Sequence, residues 1–252
     1  MRWIRAATAR TSACAFLLVG LAQGATADAA QATSAPQLAQ TYLDGRTLER
    51  APPFVVQRYR ERAEAGDRRA QFYLGLMHEQ GLVGDAPAPA AARRWFAAAA
   101  DGGYPPAQYK LALYAEQGTG GPRDAALAVA MYGRAAAAGM AEAQYNLALM
   151  LNQGRGAPRD RAGAIRWFEQ AALAGLTAAQ MALAELHAGG VGAAPDLVEG
   201  WAWLKRAAES GEPEAEALLN ALEPRMSAAE RAEARRLKAA HDALAEMRAQ
   251  RP

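Results

Sequence analysis

From about residue 68 onward, apolar side chains return at the three- and four-residue spacing of a single helix face, and the whole arrangement then returns every 36 or 37 residues. The same phrase opens each copy: Ala70-Gln71 with Leu74, Ala107-Gln108 with Leu111, Ala143-Gln144 with Leu147, and Ala179-Gln180 with Leu183. The alanines are 37, 36 and 36 residues apart. A fixed period of this length predicts stacked supersecondary units, each burying its apolar face on its neighbours.

Each unit reads as two helices. In the third copy the first is expected from about Glu142 to Asn152 and the second from Arg161 to Ala174. The turn between them repeats as Gly118-Thr-Gly120 before Pro122-Arg-Asp124, and as Gly154-Arg-Gly156 before Pro158-Arg-Asp160. A variant stands at Gly190-Val-Gly192 and Pro195-Asp196. Glycine can take a positive φ after a helix, and Asp can accept the free backbone N–H groups that open the next. The first copy carries one extra residue.

Within the second helices a bulky pair recurs at Trp95-Phe96, Met131-Tyr132, Trp167-Phe168 and Trp203-Leu204. Four residues later comes Ala100, Ala136, Ala172 or Ala208, on the same face. Bulky groups opposite alanine gaps are core packing, which argues against an exposed aromatic carbohydrate or ligand cage.

The flanks are read from the same signals. Pro52-Pro53 before an amphipathic stretch closed by Gly66 predicts a capping helix over 51–67, equivalent to half a unit. Four full units fill 68–212. Residues 213–252 start as a fifth first helix but carry Glu216 where the others have Gln, and then Pro224. Ser227-Ala-Ala-Glu230 is a capping-box start for a last helix to about Arg248, whose face Leu237, Ala240, Leu244 and Met247 is expected to seal the stack. Residues 28–50 read as a flexible leader.

Residues 1–27 have the three parts of a secretory signal peptide: Arg2, Arg5 and Arg10, then the apolar run 13–22, then Ala25-Thr26-Ala27 before Asp28. Cleavage after Ala27 is expected, with export to the periplasm or beyond. The apolar run is too short for a stable bilayer-spanning helix, which needs about 20 residues. Its loss changes the charge balance. The whole chain is +2, but without residues 1–27 it holds 25 Lys and Arg against 26 Asp and Glu, or −1. That offers no support for nucleic-acid binding. Cys14, the one cysteine, leaves with the same segment, and with it any disulfide, thiol nucleophile or cysteine ligand.

The composition is 52% hydrophobic but only 7% aromatic, with alanine supplying much of the difference, which favours close-packed helices. The repeat resembles the Sel1-like family, relatives of tetratricopeptide repeats with a longer glycine-containing turn. The resemblance rests on Ala141-x-Ala143-Gln144-Tyr145-x-Leu147, on the Gly-x-Gly turn, and on Ile165-Arg-Trp-Phe-Glu-Gln-Ala-Ala172 before Gly175, and it runs from about Pro52 to Glu216. His78 and His187 stand where the family often has Tyr, and the fourth copy has Met181 and Ala182 in place of a bulkier start. The expected architecture is therefore all-α: a right-handed α/α solenoid of helix-turn-helix repeats with terminal capping helices.

No catalytic constellation stands out: there is no His-Glu-x-x-His, Gly-x-Ser-x-Gly, Ser-x-x-Lys or phosphate-binding loop, and the Gly-x-Gly turns join two helices instead of following a strand. No catalytic, metal or cofactor residues are expected. The mature histidines are His78, His187 and His241, the first two at equivalent positions of the first and fourth copies. Recognition is expected at first-helix positions that vary while the frame repeats, on the concave side of a helical solenoid. These are Tyr73, Lys110 and Asn146; then Leu76, Leu113, Leu149 and Glu185; then Gln80, Gln117 and Gln153. The function this favours is a non-enzymatic periplasmic adaptor or regulator for an envelope protein or peptide, without stable membrane insertion. The resemblance also implies an alternative, a cell-wall or small-ligand binding protein or hydrolase of the β-lactam-binding Sel1-like type. This chain lacks the cysteines and the Ser-x-x-Lys that such proteins would bring.

Overall fold

The computed structural model describes residues 53–84, 86–190 and 195–250; the signal segment, the leader and part of the fourth turn lie outside the described residues. Among the described residues there are eleven α-helices, one short 3-10 turn and no strand. They are α1 (Pro53–Glu64), α2 (Arg68–Glu79), α3 (Pro89–Asp101), α4 (Pro105–Gln117), α5 (Ala125–Ala137), α6 (Ala141–Gln153), α7 (Arg161–Leu173), α8 (Thr177–Ala188), α9 (Leu197–Glu209), α10 (Pro213–Leu222) and α11 (Ala228–Ala249). Each helix from α1 to α9 packs on the next, the closest pairs being α2 with α3, α4 with α5, α6 with α7 and α8 with α9. These pairs are the units that the 36-residue period predicts.

The core follows the expected bulky-to-small rule. Phe96, Tyr132 and Phe168 are fully buried, as are the alanines at 92, 99, 100, 128, 135, 136, 164, 171 and 172. With methyl groups on the facing helix, the backbones come close enough for one aromatic ring to fill the gap in each of the first three units, and Leu204 fills it in the fourth. Burying such a ring contributes about 2 to 3 kcal/mol. Tyr59 takes the same register in α1, and burial, the largest influence, pushes its hydroxyl up to about 12.

Successive units are joined by one repeated device. The side-chain amide of Gln108 donates to the carbonyl of Ala100 at 3.3 Å, Gln144 to Ala136 at 3.1 Å, and Gln180 to Ala172 at 3.2 Å. Gln71 makes the same bond to Ala63 of α1 at 3.0 Å. Each carbonyl already accepts from the glycine three residues on, so the amide uses its second lone pair. The glycines at these joints have φ of 87, 75, 89, 91 and 87° at Gly66, Gly103, Gly139, Gly175 and Gly211, with open space where a Cβ would stand. Glu216 takes the glutamine register in α10 and is exposed, so no further joint of this kind forms.

The turns inside the units meet the expected chemistry. Asp124, Asp160 and Asp196 accept backbone N–H groups at the starts of α5, α7 and α9. Arg123 and Arg159 donate to the carbonyls of Glu116 and Asn152, each at 2.9 Å, satisfying the ends of α4 and α6. The second glycine has a further duty. A Cβ on Gly120 would strike the carbonyl of Pro89, and one on Gly156 that of Ala125, each at the start of the preceding unit's second helix. The extra residue of the first copy falls in the turn between α2 and α3, where Ala88 makes no side-chain cap and Pro89 opens the helix instead.

The last helix departs from expectation in the face it uses. Ser227 and Glu230 form the capping box. α11 packs on α9 and reaches α7, with Ala234 and His241 buried. Leu244 and Met247 are instead 44% and 56% exposed, and Ala240 is exposed with them. α9 dictates this, because it presents Trp203, Arg206 and Glu209, which call for polar partners. His241 stacks on Trp203 with centroids 4.1 Å apart, Asp242 meets Arg206 at 2.6 Å, and Lys238 bridges Glu209 at 2.6 Å and Asp242 at 2.8 Å. Arg248 reaches Gln170 on α7.

Two stability outcomes follow from the joints. In urea titrations Gly139→Ala should cost about 1 kcal/mol for its left-handed backbone alone, whereas Gly156→Ala adds a backbone collision and should cost about 3 kcal/mol; equal costs would remove the stacking role of Gly156. Gln144→Glu replaces a buried donor with a carboxylate and should cost about 3 kcal/mol at neutral pH. Burial raises such a carboxyl's folded pKa above its unfolded value near 4.3, so the deficit should shrink as pH is lowered toward about 4. A pH-independent deficit would show that the donor is not what matters.

Candidate functional site: the first-helix face

Helices α2, α4, α6 and α8 bring the ten expected recognition positions into a common register. Gln80, Gln117, Gln153 and Glu185 are exposed, while Tyr73, Leu76, Lys110, Leu113, Asn146 and Leu149 are half-buried. The half-buried leucines have their inner side against the core, Leu76 and Leu113 on the central cluster and Leu149 on the C-terminal one. α11 lies over second helices, α9 and α7. The first helices are therefore the side that α11 leaves open.

Not all ten are equally available. The Lys110 ammonium lies 2.8 Å from Glu79 Oε2, and the Tyr114 hydroxyl donates to Glu79 Oε1 at 2.9 Å. Asn146 donates to the Tyr109 hydroxyl at 3.4 Å. Gln117 and Gln153 accept through their carbonyl oxygens from Thr119 at 3.4 Å and Arg155 at 2.6 Å. Both residues sit in the turn two positions on, so the oxygen of each glutamine is engaged locally while its NH2 group remains to donate.

Two columns escaped the sequence reading. Phe72, Tyr109 and Tyr145 follow the repeated Gln and each meets the core ring of its own unit: Phe96 at 5.7 Å, Tyr132 at 5.8 Å and Phe168 at 5.6 Å between centroids. The other is Glu79, Glu116 and Asn152, each just before a recognition glutamine. Glu116 accepts from the Tyr132 hydroxyl at 2.9 Å and pairs with Arg155 of the next unit at 2.7 Å. Burial first, then the Glu116 carboxylate, pushes the Tyr132 hydroxyl far above the ordinary tyrosine range; Tyr114 is raised by burial and by Glu79 in the same way. Asn152 Oδ1 is buried without a hydrogen-bond partner. The dipeptides Glu79-Gln80, Glu116-Gln117 and Asn152-Gln153 were the signal available in the sequence.

The three histidines do not gather at one place: His187 and His241 both bear on Glu199, while His78 belongs to the first unit. His78 is half-buried on α2, and burial, then Arg60 and Arg94, lowers its pKa. His187 belongs to α8 and His241 to the α11 seam. Trp95 and Trp167 are partly buried against core clusters and Trp203 is buried, as a packing role requires. Among the described residues no three His, Cys, Asp or Glu side chains group in a way that could hold a metal, and no helix is long and apolar enough to cross a membrane.

The repeated joints and Gly-x-Gly turns define a helical-repeat solenoid, a fold generally used for protein–protein interaction. Four successive segments, 68–104, 105–140, 141–176 and 177–212, match the Sel1 repeat, and with more than half of its length matched the chain belongs to the Sel1 repeat family. Among solved structures it is similar to a Sel1 repeat protein from Oxalobacter formigenes, with 24% identity over 74% of each chain and a TM-score of 0.64. It also matches c5321, a protective antigen of uropathogenic Escherichia coli with an SLR fold, at 27% identity over 86% of this chain and 56% of that one, with a TM-score of 0.47. No curated protein matches the chain.

The Glu116 contacts generate a direct check. A double-mutant cycle of Glu116→Gln and Tyr132→Phe should give a coupling energy of about 1 kcal/mol in unfolding titrations. A coupling near zero would mean that the hydroxyl does not depend on the carboxylate.

Proposed function

We propose that this protein is a non-enzymatic adaptor of the cell envelope, exported to the periplasm, which binds a protein or peptide partner through the face formed by α2, α4, α6 and α8. The Sel1 repeat solenoid is a fold generally used for protein–protein interaction, and its repeat family is typically non-catalytic. The observation that carries the reading is the contrast between frame and face. Joint and core positions keep Gln, Ala and a large apolar side chain (Phe96, Tyr132, Phe168, Leu204) from unit to unit, while the half-buried column between them runs Tyr73, Lys110, Asn146 and Ala182. A repeat that holds its packing constant and varies one surface column uses that column for recognition. Export rests on the three-part pattern of residues 1–27.

In-cell photo-crosslinking tests the reading. A photoreactive residue at Asn146 or Gln153 should capture one envelope protein specifically, whereas the same group at Arg134, exposed on second helix α5, should not. Equal capture at all three positions, or none at Asn146 and Gln153, would reject the first-helix face as the recognition surface.

A further inference from the structure

The first-helix face changes electrostatic character along the array. Taking the register that opens each stripe, the chain has Arg69, Pro106, Glu142, Ala178 and Glu214; three or four residues on come Tyr73, Lys110, Asn146 and Ala182. Both cations of the stripe thus lie in α2 and α4. Helices α6, α8 and α10 contain no Lys or Arg and carry Glu142, Glu185, Glu214 and Glu216, the last three exposed. Apart from Arg155 and Arg159 in the turn after α6, engaged by Gln153, Glu116 and the Asn152 carbonyl, the cations of these units sit on second helices, as Arg161 and Arg166 on α7 and Lys205 and Arg206 on α9. Between the acids lie the half-buried apolar surfaces of Tyr145, Leu149 and Met181.

Comparison of one junction with another shows what this part of the face lacks. At the first junction Lys110 extends from α4 to Glu79 of α2, with its ammonium 6.0 Å from the centre of the Phe96 ring. At the third junction the ring is Phe168, and the position of Lys110 is taken by Ala182. The position of Glu79 is taken by Asn152, whose Oδ1 is buried without a hydrogen-bond partner, and Glu185 stands exposed three residues beyond Ala182 on α8. A ring, an amide oxygen without a hydrogen-bond partner, an exposed carboxylate and an apolar floor are present, and α6, α8 and α10 supply no Lys or Arg. Such a face steers and orients positively charged segments, and an aromatic wall favours an ammonium or guanidinium beside it.

We propose that the first-helix face of α6, α8 and α10 docks a lysine- or arginine-bearing segment of a protein partner, one cationic side chain of which lies over Ala182 in the register that Lys110 fills within the chain at the first junction. This rests on the adaptor reading above and specifies the chemistry of the partner.

The test is fluorescence anisotropy on the full mature chain with two labelled probes, a short peptide alternating alanine and lysine and its counterpart alternating alanine and glutamate. The lysine peptide should bind saturably and more weakly as salt is raised, and the glutamate peptide should not bind. Glu185→Gln should weaken binding about fivefold. Ala182→Lys, which places the chain's own ammonium on the face, should weaken it at least about tenfold while circular dichroism shows the helices intact. Asp101→Asn, at the exposed end of second helix α3, should leave binding unchanged. No saturable binding of the lysine peptide, or a loss common to Ala182→Lys and Asp101→Asn, overturns the proposal. So does self-association of the chain that the lysine peptide does not displace. If the lysine peptide fails while Asn146 still captures one envelope protein, the cationic partner is rejected and the adaptor reading stands.

Discussion

A single buried hydrogen bond sets the repeat in this molecule: a glutamine amide at the start of each first helix reaching back to an alanine carbonyl eight residues earlier. Its geometry requires that the end of one helix and the first turn of the next lie against each other with no side chain between them. Gln108, Gln144 and Gln180 are themselves buried, so the polar group must be satisfied wherever the fold places it. Only small residues leave room for that approach, which explains why fully buried alanines outnumber rings throughout the core. Where the glutamine becomes Glu216 the donor is gone, the side chain is exposed, and the array passes to a helix of another kind.

Much of this was legible in the sequence because it is local. Helix bounds, aspartate caps and positive-φ glycines are set by residues within one or two turns of each other, and the 36-residue period aligned them across copies. The pairings Lys110 with Glu79 and Arg155 with Glu116 were not legible, since they span 31 and 39 residues and depend on how far each unit is rotated on the last. The same limit applies to the expected recognition columns. The period placed Lys110 correctly on a first helix but could not show that its charge is already engaged. The last helix shows a different limit: its apolar stripe suggested a seam at Leu244 and Met247, yet a docking face is chosen jointly by both partners, and α9 offered an indole, a guanidinium and carboxylates.

The two kinds of contact respond differently to conditions. The unit joints rest on apolar burial and neutral hydrogen bonds, with the ion pairs Lys110–Glu79 and Arg155–Glu116 added outside the core, while α11 is held by ion pairs and by His241 stacked on Trp203. Burial, then Arg206, depresses the His241 pKa, with His187 acting in the same sense and Asp242 against it. Its contribution to docking is therefore present above the ordinary histidine range and lost as pH falls toward the depressed value. Glu199, 4.0 Å from His241, is raised by its own burial and acts in the opposite sense, favouring its protonated form. Screening by salt also weakens the exposed pairs of this seam far more than the alanine core.

The joints have a consequence for how such a chain can change its length. Met140 donates its backbone N–H to the Ala135 carbonyl at 3.2 Å, and Leu176 donates to Ala171 at 3.0 Å, each just after a glycine of the same conformation. The two seams are interchangeable parts. Excising residues 140–175 would bring Leu176 to the place of Met140 and Gln180 to that of Gln144, remaking the backbone and glutamine bonds of the joint, while Glu116 would lose its Arg155 partner. Duplication would remake the same joint, so this scaffold can gain or lose first-helix surface in whole units without redesign of its core.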